Sequence, residues 1–265
     1  MSDALKVAVE AACAAGRIQK ERAGRIGEIR YKGEINPVTE VDLLCEKEII
    51  DRIHQHFPDH AVLAEESGET EGHADHLWVI DPLDGTMNYA HGFPSYCVSI
   101  AYRHANETVV GVVYNPCLDE LFVAEQGKGA TLNGEPLHVS PITNLKESLL
   151  ATGFAYDVHK AGHNNVDHFV NFIAAAQGVR RPGSAAMDLC YTAMGRFDGF
   201  WELKLNVWDY AAGVLMVEEA GGRVTRFHGE AFRFGDKEIL TSNGHIHDAM
   251  IAVLKQGKSR GIPQK

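Results

Sequence analysis

Apolar and polar residues recur with two different periods along this chain. In residues 3–22, Leu5, Ala8, Val9, Ala12, Ala15 and Ile18 return at helical spacing. They predict an amphipathic helix with an acid near its start and Lys and Arg gathered at its end. Residues 43–57 predict a second helix whose buried face carries Leu43, Ile50, Ile53 and Phe57. It follows Thr39-x-x-Asp42, the spacing of a capping box. The period then shortens. Residues 61–64 and 77–80 are apolar runs of strand length, and 96–102, 109–114 and 120–125 read as further strands. Asn133-Gly134 marks a tight hairpin turn within 130–137. Residues 67–76, with Gly68, Gly72 and three acids, read as exposed loop, and the stretch around Gly33 as a mobile one.

From about residue 143 the pattern restarts. Strand 149–152, helix 168–176, a helical run behind Gly183-Ser184, strand 197–203 and helix 210–220 succeed one another. Strands 223–227 and 238–241 and a closing helix 245–254 follow, and the polar residues 255–265 read as loosely held. The whole predicts a layered α/β protein in two closely joined units, 1–142 and 143–265, with a site between them.

One stretch breaks the pattern. The apolar run 77–80 leads into W-V-I-D-P-L-D-G-T-M-N-Y, residues 78–89. A buried strand that ends in two carboxylates brings together anions that raise each other's pKa unless a cation lies between them. Hard oxygen donors from Asp81 and Asp84 suit Mg²⁺ better than zinc. The amides of Gly85 and Thr86 stand where a helix can begin, a place for phosphate. Asp-Pro and Asp-Gly are equally ordinary turn dipeptides, so this stretch alone leaves a plain turn open.

Charge and cysteine content narrow the field. The 265 residues hold 25 Lys and Arg against 36 Asp and Glu, a net charge of −11. That argues against general nucleic-acid binding and against anionic membranes. Five scattered cysteines, odd in number and without C-x-x-C, read as reduced thiols in a cytoplasmic protein. No secretory signal and no run of about 20 apolar residues is visible. His159, His163 and His168 invite a zinc reading. Gly162 interrupts that stretch and no further ligand completes the set, so it reads as a surface loop beside a pocket.

Three blocks together change the odds. The stretch at 78–89, A-E-E-S at 64–67 and V-W-D-Y-A-A-G at 207–213 resemble the inositol monophosphatase family in order, spacing and residue type, and the resemblance runs from about residue 4 to 254. It implies an αβαβα sugar-phosphatase fold and a Mg²⁺-dependent phosphomonoesterase acting on a small phosphorylated polyol or sugar. One Mg²⁺ would be held by Glu65, Asp81 and the carbonyl of Leu83, and a second by Asp81, Asp84 and Asp209. A third near Glu65 is compatible with the pattern. Glu65 and Thr86 would orient the attacking water, with Asp42 orienting Thr86. Leu83, Asp84, Gly85, Thr86 and Asp209 would also meet substrate. Gly183, Ser184 and Ala185 would line the sugar-alcohol side, and Glu202 would contact ring hydroxyls. Lys32 could approach from its loop. Lithium inhibition and a homodimer are family expectations.

Each assignment has a plainer counterpart. Asp42 and Asp209 suit helix starts, Ser184 suits a cap, and Glu66 and Glu202 suit surface charge. Two rival functions remain: a related phosphatase for fructose 1,6-bisphosphate, histidinol phosphate or 3′-phosphoadenosine 5′-phosphate, and a regulatory scaffold without turnover.

Overall fold

The computed structural model describes residues 2–25, 30–31 and 37–258. Lys32, Gly33 and the tail beyond 258 therefore lie outside the described residues. In chain order the elements begin with α1 (Asp3–Arg22), β1 (Arg30–Tyr31), β2 (Pro37–Val38), α2 (Glu40–His56), β3 (His60–Ala64), β4 (Gly68–Glu69), β5 (His73–Asp84) and α3 (Thr86–Ala90). Next come β6 (Cys97–His104), β7 (Glu107–Asn115), β8 (Glu120–Glu125), β9 (Ala130–Leu132), β10 (Glu135–Pro136), β11 (Leu149–Thr152), α4 (Val166–Ala175) and β12 (Gly178–Arg180). The chain continues through α5 (Ala185–Ala193), β13 (Gly199–Leu203), α6 (Val207–Glu219), β14 (Arg223–Thr225), β15 (Glu238–Ser242) and α7 (His247–Leu254).

Strands β3 to β10 form an eight-stranded sheet in the order β10-β9-β8-β7-β6-β5-β3-β4, antiparallel except for β3 beside β5. Strands β11 to β15 form a five-stranded mixed sheet, β12-β11-β13-β15-β14. Five layers share three cores, the middle one spanning both faces of the α5–α6 layer. Trp78, Ile80, Val98, Ile100 and Val112 pack against α1 and α2. On the other face Val79, Val113 and Phe122 meet α5 and α6, which also contact Ala151, Phe200 and Ile239 of the second sheet. Beyond that sheet Leu150, Trp201 and Leu240 pack on α4 and α7. The layering is the expected α/β/α/β/α.

Two expectations need correction. Residues 67–76 are not simply loop: β4 pairs with β3, and β5 begins at His73, opposite His60. These edge positions are polar and half-exposed, so they carry no apolar alternation to read. Helix α2 is also rotated from its predicted face. Leu43 is 51% exposed, whereas Val41, Asp42, Cys45, Glu46, Ile49 and Ile53 are buried. Two inward carboxylates had shifted the apparent stripe toward the wrong side.

Candidate active site

Strand register delivers the first carboxylates. Ala64 of β3 lies opposite Ile80 of the parallel strand β5, so Glu65, just past the end of β3, comes beside Asp81. The Glu65 amide donates to the Ile80 carbonyl at 3.3 Å. Asp81 and Asp84, three apart, would face opposite ways in a regular strand. Here Asp81 pairs with Ser99 and Asp84 with Cys97, so a bulge absorbs one extra residue and turns both toward the α5–α6 layer. The Gln19 side chain, buried on α1, fixes this turn by donating to the Pro82 carbonyl at 2.8 Å. Gly85 follows with φ 90°, and an added Cβ would come within 2.8 Å of the Ser95 carbonyl. Only glycine fits that corner.

Thr86 opens α3. Its hydroxyl stands 3.1 Å from Oδ1 of Asp42 and 2.9 Å from the Leu83 carbonyl. Asp42 also accepts the Thr39 amide at 2.8 Å and the Thr39 hydroxyl at 2.6 Å through Oδ2. Capping α2 and holding Thr86 are thus performed by different oxygens of one carboxylate. The hydrogen bonds leave room for both readings of Asp42.

The second half of the chain closes the site. Ser184 precedes α5, but its hydroxyl does not cap that helix. It donates instead to Oδ2 of Asp84 at 2.7 Å, beside the Ala186 amide at 2.8 Å. Asp209 sits in the first turn of α6 and accepts the Asn206 amide at 2.6 Å. Glu202 comes from β13 and is 8% exposed, which rules out a surface charge. Gly153 makes room for it, since a Cβ there would meet the Glu202 carboxylate oxygens.

A cavity of about 380 Å³ gathers Glu65, Asp81, Leu83, Asp84, Gly85, Thr86, Gly183, Ser184, Ala185, Glu202 and Asp209 in its lining. Asp42 stands behind Thr86. The starts of α3, α5 and α6 all reach this cavity, so amides and helix dipoles are directed toward it. The lining residues that sequence reasoning missed include Asp188 and Arg181. Asp188 is 1% exposed and leaves Oδ1 without a partner, and Arg181 is the cation acting on it. A single acid inside the apolar run 185–190 was the available signal. The histidine-bearing loop contributes Phe154 to Asp157 to the rim, as a pocket-flanking loop should.

Electrostatics here are strained. Burial, then Glu65, Asp84 and Asp209, push Asp81 well above the usual carboxylate range. Burial and Asp84 do the same to Asp209 against the opposing Asn206 amide. Asp84 is pushed up to about 6 by burial, although Ser184 and the Ala186 and Ala185 amides pull it down. Glu202 rises to about 8 through burial and Asp84, opposed by Arg181. The cavity lining holds seven carboxylates against the two cations Arg181 and Lys204. Lys204 is already paired with Asp157 at 2.6 Å. Among the described residues no three His, Cys, Asp or Glu side chains stand in finished ligating geometry. The fit to a metal therefore rests on the donor chemistry: buried, mutually repelling oxygen ligands that a hard cation would relieve.

An α/β/α/β/α fold enclosing one acidic cavity defines a class, and comparison with known proteins identifies it. The sequence profile of the inositol monophosphatase family matches residues 1–259. An inositol-1-monophosphatase of Synechocystis sp. is 46% identical over 253 residues, covering 94% of this chain and 88% of that protein. The Nus factor SuhB of Escherichia coli K12 is 41% identical over 265 residues, 99% of each. The crystal structure of the extragenic suppressor protein suhB from Bartonella henselae superposes with a TM-score of 0.92 at 41% identity, covering 97% of this chain and all of that one. The chain belongs to the inositol monophosphatase family. It is an enzyme of that phosphatase class.

Proposed function

We propose that the chain hydrolyses the phosphate monoester of a small polyol, myo-inositol 1-phosphate foremost, with Mg²⁺ as cofactor. Enzymes of the family are in general metal-dependent. The observation that carries the reading is the mismatch inside the cavity: the start of α3, whose amides suit a phosphate, lies beside Glu65, Asp81, Asp84 and Asp209, which would repel it. A bound Mg²⁺ would supply the missing positive charge and lower the pKa of a coordinated water. Glu65, Asp81 and the Leu83 carbonyl would hold one ion, and Asp81, Asp84 and Asp209 a second. The donor set leaves space for a third near Glu65.

The chain's own groups then do the positioning. The single hydroxyl proton of Thr86 is committed to Asp42 or the Leu83 carbonyl, so its oxygen is left to accept a hydrogen bond from the attacking water. Glu65 takes a proton from that water as general base. The phosphorus–oxygen ester bond breaks as the water oxygen attacks, and the leaving polyol oxygen takes up a proton from solvent. The Gly85 and Thr86 amides hold phosphate oxygens, while Gly183, Ser184, Ala185 and Glu202 meet the polyol hydroxyls. Asp81, Asp84 and Asp209 would all serve as metal ligands, so direct attack by water without a phosphoenzyme is the expected course. We extend lithium inhibition and a homodimer to the chain as expectations, read by inhibition of turnover and by sedimentation.

Among the described residues no helix is long and apolar enough to cross a membrane. The name Nus factor, carried by the 41% identical relative, favours a second reading in which a regulatory role accompanies or replaces turnover. Phosphate release from inositol 1-phosphate, fructose 1,6-bisphosphate, histidinol phosphate and 3′-phosphoadenosine 5′-phosphate separates these. A panel led by inositol 1-phosphate supports the proposal. Another leading ester keeps the chemistry and changes the substrate, and no release at all from folded protein leaves the regulatory reading.

A further inference from the structure

Glu46 is a buried acid on α2 that the chemistry above does not use, and it is 4% exposed. Its Oε2 accepts the Glu66 amide and its Oε1 the Ser67 amide, each at 2.9 Å. One carboxylate therefore fixes two consecutive peptide groups immediately after Glu65. The Glu65 amide itself is tied to the Ile80 carbonyl at 3.3 Å, so the backbone is held on both sides of that residue.

Asp42 lies four residues earlier on the same helix, about 6 Å away along its axis. It holds the Thr86 hydroxyl at 3.1 Å. Side chains at i and i+4 share a helix face, and this face is turned toward the core. A single rigid element thus grips both groups assigned to the attacking water, Thr86 through its side chain and Glu65 through the backbone beyond it. Packing alone would be better served by an apolar residue, because a buried carboxylate must recover its lost hydration from hydrogen bonds. Charge-assisted bonds to two adjacent amides do this and also fix the turn.

We propose that Glu46 is a positioning residue for Glu65, so that α2 sets the relative placement of Glu65 and Thr86. The proposal rests on the reading of Glu65 as the base that orients water. It is tested with kcat and KM for phosphate release from inositol 1-phosphate at saturating Mg²⁺, in wild type, Glu46→Gln, Glu65→Gln and the double variant. Glu46→Gln is expected to lower kcat by roughly tenfold or more, since misplacement by about 1 Å can cost that much, with KM within about twofold. In the Glu65→Gln background the same change is expected to alter kcat by less than about twofold, because no base remains to be placed. A general structural role would instead multiply the two losses, or move KM and kcat together, and either result overturns the inference. Unchanged kcat in Glu46→Gln also overturns it. Full turnover by Glu65→Gln overturns the reading of Glu65 and this inference with it, so the two failures are told apart. If the Gln variant does not fold, Glu46→Asp carries the same cycle: it keeps the charge and shortens the arm.

Discussion

Ser184 donates its hydroxyl to Oδ2 of Asp84 at 2.7 Å, a bond between residues one hundred positions apart. It ties the turn that ends β5 to the start of α5, and so fixes a carboxylate of the first sheet with a group from the layer between the sheets. Removing it as Ser184→Ala leaves Asp84 its Ala186 amide but frees one lone pair. A hydrogen bond to a charged group contributes about 1.5–3 kcal/mol. The Mg²⁺ concentration for half-maximal activity is expected to rise roughly tenfold, with kcat at saturating metal within about threefold. A Mg²⁺ titration of turnover measures both, and a loss confined to kcat would count against Asp84 as a ligand.

Asp84→Asn separates function from stability. A neutral amide cannot hold the second Mg²⁺, so turnover is expected to fall by about 100-fold or more. The same change removes one charge from a crowded set in which Asp84 raises Asp81, Asp188, Glu202 and Asp209. In EDTA the variant should therefore melt above wild type. Near-normal turnover, or a lower metal-free Tm, would contradict this.

Thr86→Ala tests the water-positioning hydroxyl. Metal binding is expected to stay within about twofold, because no metal ligand is lost, while kcat falls on the order of 100-fold. Isothermal titration with Mg²⁺ and steady-state kinetics supply the two numbers. A change in KM alone would remove Thr86 from that role.

The raised carboxylates predict a pH dependence of the metal-free protein. Asp84 is pushed up to about 6 from an ordinary 3.8, and Glu202 to about 8 from 4.5. Between the ordinary and the raised values the folded chain keeps protons that the unfolded chain has released. Their stabilising contribution is therefore complete below about pH 4 and is lost as pH rises through 6 and then 8. In EDTA, Tm should fall by roughly 4–8 °C over that window, about 2 kcal/mol for a chain of this size. Glu202→Gln should flatten the upper part of the fall, and added Mg²⁺ should reverse it most at pH 8. A metal-free Tm that rises from pH 5 to 8 would contradict the electrostatics described.

Local patterns with a strong chemical signature were readable in the sequence, and patterns made by tertiary contact were not. Thr39 and Asp42 form the capping box their spacing predicts, and Asn133 and Gly134 both take positive φ, as the hairpin required. The run 77–80 is the centre of β5. Its polar beginning at His73 was hidden because the exposed end of the strand shows no burial period. The inward rotation of α2 was hidden for the opposite reason: Asp42 and Glu46 are buried by hydrogen bonding, which hydropathy reads as exposure. At the site, Asp81, Asp84 and Asp209 could be named from the motifs the chain shares with the family. The bulge that turns Asp81 and Asp84 the same way appears only in the register with β6. Asp188 and Arg181 carry no motif, and only the folded cavity brings them to Glu202.

The most direct test of the central proposal is phosphate release from inositol 1-phosphate by protein stripped with EDTA, followed as Mg²⁺ is returned. The account predicts no release above background in EDTA and a saturable recovery with Mg²⁺ that Asp84→Asn fails to show. Undiminished release without divalent metal, or none at any Mg²⁺ concentration from correctly folded protein, would contradict it.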